Sequence, residues 1–374
     1  MTDWTIQTQA GQLRLAIRRA EWPLEASVAF ATRQNPRRLY LFVSKLLGKH
    51  WPVRPSVMRV AHQQLAEKIA KLPGPLLVIG LAETATALGR GVAEEAAWQA
   101  GRADVLYLHT TRYLLSHHLA FQFDESHSHA PDHAVYWPVP PLRSLFQAAR
   151  TLVLVDDEIS TGRTLVGLAQ AYLQINPRIQ QVALVCLTNW LSEERQREIG
   201  ALLDRPVSFP AFIEGSFQFA PDPRFPLPRL PVAVASTSRS HADVTAEPAR
   251  TGVLAGRNHA PVLPKVPAGQ PLAVIGTGEY TYTPYRLALA LEQQGHDVHF
   301  QSTTRSPILV GDAIQSRHEF LDPYGDGMVN YLYNLAPERL PILCYEHPAL
   351  VGWHTLADQL GGLAWMTEPL CPAS

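Results

Sequence analysis

TLVLVDDEISTGRTL, residues 151–165, is the stretch whose reading decides the fold. Leu152, Val153, Leu154 and Val155 form an unbroken aliphatic run, the pattern of a strand buried on both faces. The run stops at two carboxylates, Asp156 and Asp157, and passes through Glu158 and Ile159 into a small-residue turn, Ser160-Thr161-Gly162. Arg163-Thr164-Leu165 then opens a helix. A buried strand fixes where the carboxylates sit, while the turn and the helix start point backbone N–H groups at an anion. Two adjacent acids at a strand end are costly without a ligand or partner. Acid beside an anion site suits a ligand carrying both a diol or metal and a phosphate, such as a phosphorylated ribose.

The rest of the composition fits a packed α/β protein. The chain has 374 residues, enough for two or three domains, with 46% hydrophobic and 17% charged residues. A net charge of −1 gives no support to nucleic-acid binding. Cys186, Cys344 and Cys371 are too widely spaced for a zinc motif or a disulfide framework. The first residues, MTDWTIQTQAGQLRL, lack a basic-then-apolar leader, and no window approaches 18 apolar residues. The expectation is a cytoplasmic protein with no membrane partner.

The order at 151–165, apolar strand, two acids, two further residues, then Ser-Thr-Gly-basic-Thr, resembles the phosphoribosyl diphosphate signature of type I phosphoribosyltransferases. The resemblance implies that Asp156 and Asp157 hold the ribose 2- and 3-hydroxyls, directly or through Mg²⁺. It implies that Ser160, Thr161, Gly162, Arg163 and Thr164 wrap the 5-phosphate, with Glu158 and Ile159 in the same binding stretch.

Elsewhere in the first half, apolar residues at 57, 61, 65, 69 and 72 have helical spacing and stop at Pro73. Residues 75–79 then read as a buried strand, followed by the small residues of 80–89 and an amphipathic segment over 86–100. By position, Ala82, Glu83 and Thr84 resemble the family's pyrophosphate-binding loop, although orotate-type and purine-salvage loops often carry Lys or Arg where this one carries Glu83. Residues 104–109 are a third strand, leading into a long polar excursion with six histidines from His109 to His133 and with Arg112. Loops of that length are usually functional or disordered. Orotate-type enzymes place a mobile closing loop there, which makes Arg112, His127 and His129 catalytic candidates. His127 and His129 could act as acid or base, or bind metal, though no third ligand is identifiable. In the N-terminal lobe, residues 39–43 could be a strand or a helix start, and the basic residues around Gly48, including Lys45 and Lys49, could face a polyanionic substrate. A further strand at 181–187 and a helix from Ser192 complete a parallel sheet whose loops after 80, 109 and 155 converge on one edge.

From 221 to 231 five prolines fall in eleven residues, and a Ser/Thr/Ala-rich run follows, so 221–268 reads as a spacer. A second, smaller Rossmann-like α/β domain spans 269–374, leaving 1–220 for the transferase domain. Its strand at 271–275 ends in Gly276-Thr277-Gly278-Glu279, a helix runs from Thr283-Pro284 to Gln294, and the next strand runs into Ser302-Thr303-Thr304-Arg305-Ser306-Pro307. Arg305 between hydroxyls makes Thr304, Arg305 and Ser306 an anion-site candidate. TTRSP in this position resembles the TRSP domain that accompanies one branch of the orotate-type transferases. LFVSKLLGKH and HSHA resemble the same branch. Members are associated with tellurite-resistance and stress gene clusters and with making a nucleoside-like metabolite. The resemblance implies a phosphoribosyltransferase using phosphoribosyl diphosphate, Mg²⁺ and a nucleobase-like acceptor, in a chain that can form a homodimer. Two other readings use the same site: a non-catalytic sensor of phosphoribosyl diphosphate or a nucleotide, and a hydrolase of a nucleotide or phosphoribosyl bond.

Overall fold

The aliphatic runs read from the sequence form strands Leu76–Gly80, Val105–His109 and Thr151–Val155, and every residue in the three is buried. The computed structural model describes residues 2–123, 133–228, 246–256, 260–325 and 327–366. The three strands lie at the centre of a six-stranded sheet ordered Val207–Ser208, Gln181–Val185, Thr151–Val155, Leu76–Gly80, Val105–His109 and Val253–Leu254. Its first five strands are parallel, and the last pairs antiparallel. Register places Gly80 opposite both Val155 and His109, so the carboxyl ends of the central strands are level.

Helices cover this sheet. Pro55–Glu67 and Thr86–Gln99 pack together, and Gly91 makes the approach tight: a Cβ there would meet the His62 ring at 2.1 Å. Arg163–Ile175 and Glu193–Leu203 follow their strands, the second capped by Ser192, whose side chain accepts from Arg195 N. A second, mixed sheet orders Thr2–Thr8, Gly11–Ala20, Ile213–Pro221, Thr188–Asn189 and Glu158–Ile159. In the N-terminal lobe, the ambiguous 39–43 run is a strand, Tyr40–Ser44, paired antiparallel with Val28–Thr32.

The second domain carries a four-stranded parallel sheet ordered Val298–Ser302, Leu272–Gly276, Leu340–Tyr345 and Leu363–Met366. Its helix, Tyr282–Gln293, starts before the expected Thr283, and Pro284 falls within the first turn, where no intrahelical donor is lost. That helix packs on both Pro55–Glu67 and Thr86–Gln99, and Val53 exchanges backbone hydrogen bonds with Phe300. Fold class is therefore α/β throughout, in two parallel-sheet units. None of the described helices is long and apolar enough to cross a membrane.

Part of the stretch expected as a spacer is built into the fold. Val253–Leu254 covers the edge strand Val105–His109, whose backbone groups would otherwise lack partners. Just before it, Arg250 is 1% exposed, with Nε 3.0 Å from Glu279 Oε2 and its two terminal nitrogens on Glu346 at 2.6 and 3.0 Å. Truncating one member of a buried ion cluster strands the others in low dielectric. Arg250→Met is expected to lower stability by about 3–5 kcal/mol in urea denaturation; an unchanged midpoint would show that the cluster does not hold the segment.

Burial also pushes His62, on the interface helix, down to about 3. A depressed histidine keeps its stabilising contribution above the ordinary imidazole range and loses it as pH falls toward the folded value. Stability should therefore decline with acidification from about 6.5, and His62→Leu should make that decline shallower when denaturation midpoints are compared across pH.

Candidate functional site

The acidic pair sits where the chain leaves one sheet for another. Thr151–Val155 belongs to the central sheet, and Glu158–Ile159 belongs to the mixed one, so Asp156 and Asp157 occupy the crossing. The crossing is pinned by backbone: Asp156 N donates to Val185 O, and Asp157 O accepts from Leu187 N and Thr188 N. Asp157 N also donates to Asp156 Oδ1 at 2.9 Å. Burial, and then the neighbouring Asp157 charge, holds the Asp156 carboxyl well above its ordinary range. A cation or hydroxyl donors at this point would relieve that cost. Glu158 already has a partner, Arg38, at 2.7 Å. Ile159 is buried, and its carbonyl accepts from Trp190 N.

Beyond them, Gly162 has φ +70 and leads into the helix Arg163–Ile175. A side chain there would be strained, and its Cβ would lie 2.8 Å from Ile199 Cδ1. Thr161 is exposed; its Oγ1 accepts from Arg163 N at 3.4 Å and its carbonyl from Arg195 Nε at 3.2 Å. Ser160 and Thr164 are half-buried and Arg163 is exposed around the same helix start. The arrangement has the donors of an anion cradle: a left-handed glycine, a helix N-terminus and three hydroxyls.

The loops after residues 80, 109 and 155 are hydrogen-bonded to one another. Leu81 N donates to Val155 O, Thr110 N to Gly80 O, and Ala82 N to Thr110 Oγ1 at 2.9 Å. Thr110 Oγ1 also lies 3.1 Å from His133 Nδ1, and burial pushes that imidazole down to about 3, so it is neutral near pH 7. Ala82 is buried, Glu83 and Thr84 are half-buried, and the Ala82–Glu83 peptide is cis. Glu83 has a cationic partner after all: Lys49 Nζ is 2.5 Å from Glu83 Oε1. Lys49 is 2% exposed, and burial lowers its ammonium below the usual lysine range against the opposing charges of Glu83, Glu279 and Asp157.

The other expected residues have these contacts. Lys45 Nζ donates to Glu25 O and lies 4.9 Å from the centre of the Trp51 ring. Arg112 is exposed on the segment after Val105–His109, where its backbone N donates to Glu279 Oε1 at 2.8 Å. His127 and His129 lie outside the described residues. In the second domain, Thr304 Oγ1 accepts from Ser306 N at 3.1 Å, closing the turn on itself, while Arg305 stands over the Tyr113 ring at 5.4 Å. Residues that sequence reasoning did not single out are Thr110, Tyr113, Arg250 and Glu346. Tyr324 donates to Glu346 Oε1, and its ring centre lies 4.4 Å from that of Tyr113. Only the GTGE turn containing Glu279 gave a local signal; the others are isolated side chains brought together by tertiary structure.

The donor set fits Mg²⁺. Among the described residues no three His, Cys, Asp or Glu side chains form a metal cage. Mg²⁺ is commonly held by one or two carboxylates together with water and substrate oxygens, and Asp156 and Asp157 supply that pair.

Residues 28–216 match the family model described as "Phosphoribosyl transferase", and residues 237–352 match that of the TRSP domain C-terminal to it. No curated protein matches the sequence. Among solved structures, adenine phosphoribosyl transferase from Trypanosoma brucei, in complex with AMP, pyrophosphate and ribose-5-phosphate, aligns at 12% identity and TM-score 0.36, covering 50% of this chain and 77% of that one. The adenine phosphoribosyltransferase of Rhodothermus marinus aligns at 14% identity and TM-score 0.34, with 50% and 95% covered. The orotate phosphoribosyltransferase of Mycobacterium tuberculosis aligns at 11% and 0.31, with 50% and 89% covered. With just over half of its length matched by the family model, and with the strand, acid pair and glycine turn in the matched region, the chain belongs to the phosphoribosyl transferase family and carries a TRSP domain after the transferase domain.

Proposed function

We propose that the protein transfers phosphoribose between 5-phosphoribosyl 1-diphosphate and a nucleobase-like acceptor, with Mg²⁺, in the biosynthesis of a nucleotide- or nucleoside-like metabolite. The tellurite-resistance and stress setting implied by the family resemblance belongs to the same reading. One observation carries it: Asp156 and Asp157 sit at a strand end immediately ahead of the left-handed Gly162 and the start of a 13-residue helix. This is acid for the ribose hydroxyls beside backbone donors for the 5-phosphate.

In the reaction, the bond from the anomeric carbon to pyrophosphate breaks, and an acceptor lone pair forms the new bond. Positive charge grows on the ribose as the leaving group gains negative charge. Fixed dipoles and charges oriented for that redistribution lower the barrier without reorganising. Asp156 and Asp157 orient the sugar, and their negative charge faces the developing cation. Ser160 to Thr164 anchor the phosphate so that the anomeric carbon is held in place. Lys49, beside Glu83, is the cation on the leaving-group side, and Arg112, on the segment after Val105–His109, is the candidate to close over it. Asp156 and Asp157 would hold Mg²⁺, which when bound would neutralise charge on the pyrophosphate.

A sensor of phosphoribosyl diphosphate is the second reading, favoured by the pairing of Lys49 with Glu83, which leaves the pyrophosphate loop with little net positive charge. A Mg²⁺-dependent pyrophosphate-release assay over a panel of bases separates the readings. Asp156→Asn combined with Asp157→Asn is expected to lower release by at least about 100-fold; wild-type turnover in that variant would sink the assignment. Binding without release on any base would favour the sensor, and free ribose phosphate formed without an acceptor would favour a hydrolase.

A further inference from the structure

The two parallel sheets turn their switch points toward each other. In the central sheet the chain goes from Leu76–Gly80 to Val105–His109 on one side and then to Thr151–Val155 on the other. In the second sheet it goes from Leu272–Gly276 to Val298–Ser302 on one side and Leu340–Tyr345 on the other. Ligands of open α/β sheets bind outside the carboxyl ends of the strands at such reversals. Here the loop at the second reversal meets the loop at the first. Lys49 lies between Glu83 and the Gly278 carbonyl, 3.3 Å away, and Thr86 Oγ1 is 2.6 Å from Thr281 Oγ1.

Glu279 makes the most specific of these contacts. It is 3% exposed, and both carboxylate oxygens are engaged. Oε1 accepts from Arg112 N at 2.8 Å; Oε2 accepts from Thr111 Oγ1 at 2.6 Å and from Arg250 Nε at 3.0 Å. Thr111 is joined in turn to Ala134 by a pair of backbone hydrogen bonds, and its neighbour Thr110 holds Ala82 N. One carboxylate of the second domain is thus two residues and two hydrogen bonds from the Ala82-Glu83-Thr84 loop. The adjoining Gly278 reaches the same loop through Lys49.

We propose that Glu279 is a positioning residue for the pyrophosphate end of the transferase site, so that the TRSP domain completes the site of the first domain. The inference rests on the transferase reading for its ligand. It separates the two halves of that site: the pyrophosphate side depends on Glu279, and the 5-phosphate side, built from residues 160–164, does not. A charge-assisted hydrogen bond removed from a buried segment corresponds to about ten-fold or more in an equilibrium.

The test titrates the full chain with inorganic pyrophosphate and, separately, with ribose 5-phosphate, both with Mg²⁺, by calorimetry. Glu279→Gln leaves Arg250 paired with Glu346 and is expected to weaken pyrophosphate binding about ten-fold while ribose 5-phosphate stays within about two-fold. Thr111→Val removes the same contact from the other end, leaves the Arg250 cluster intact, and should reproduce the split. Equal weakening of both probes, or unchanged pyrophosphate binding, overturns the proposal. A wild-type chain that binds both probes yet releases no pyrophosphate with any base overturns the transferase reading alone, and the comparison of probes still decides the role of Glu279. Binding of neither probe by the wild type overturns both.

Discussion

The site depends on a register. Leu76–Gly80 pairs in parallel with both Val105–His109 and Thr151–Val155, and the pairing aligns Gly80, His109 and Val155 at one level. Parallel strands covered on both faces have no solvent side to shift toward, so burial of side chains on each face holds the pairing in place. A slip of one residue would move Asp156 by about 3.3 Å along the strand. It would also exchange which of Asp156 and Asp157 faces the site. Everything chemical in the first domain, from the Thr110–Ala82 hydrogen bond to the placement of the acid pair, follows from that alignment.

The acid pair is more than the end of a strand. Asp156 and Asp157 join two sheets, and the following Glu158–Ile159 and Thr188–Asn189 pair in the mixed sheet just as their parent strands pair in the central one. The chain thus bends at the carboxylates while both flanks remain hydrogen-bonded. That geometry lets two acids project near each other at a fixed place despite the cost of burying Asp156. Opposite charge or hydroxyl donors brought to the pair would offset that cost.

Local patterns carried both domains far. The 151–165 stretch, the strands read at 75–79 and 104–109, and the helices read from 57, 86, 163, 192 and 283 each rest on contiguous periodicity or capping residues, which single segments contain, and each falls within a residue or two of where the observed element starts. What was not legible is contact between distant segments. Glu83 reads as an odd charge in its loop, and only the fold brings Lys49 to it. Prolines made 221–268 read as a spacer, yet Arg250 is among the most buried large side chains, because two glutamates 29 and 96 residues later close around it. The hydroxyls around Arg305 read as an anion receptor, but no local pattern shows that Thr304 Oγ1 accepts from Ser306 N and Thr303 Oγ1 from Gly278 N. Hydroxyls in sequence do not announce whether they will serve a ligand or their own turn.

The domain contact has an unusual composition for a surface that holds two units together. Lys49, Arg250, Glu279 and Glu346 are buried at or beside it, with half-buried Glu83 on Lys49. Desolvation makes such pairs weak sources of stability compared with apolar packing of equal volume. The interface already has apolar packing from the helix Tyr282–Gln293 and from Val53, Met58, Ala87 and Phe300, which share one hydrophobic cluster. Adhesion therefore does not require the charges. Paired charged groups do something packing cannot: they permit one relative placement of two loops and penalise its neighbours, as a displaced carboxylate would leave a buried guanidinium or ammonium uncompensated. In this chain the placement they select brings the strand-end turn of the second sheet against the strand-end loops of the first, where geometry rather than adhesion determines what the site can do.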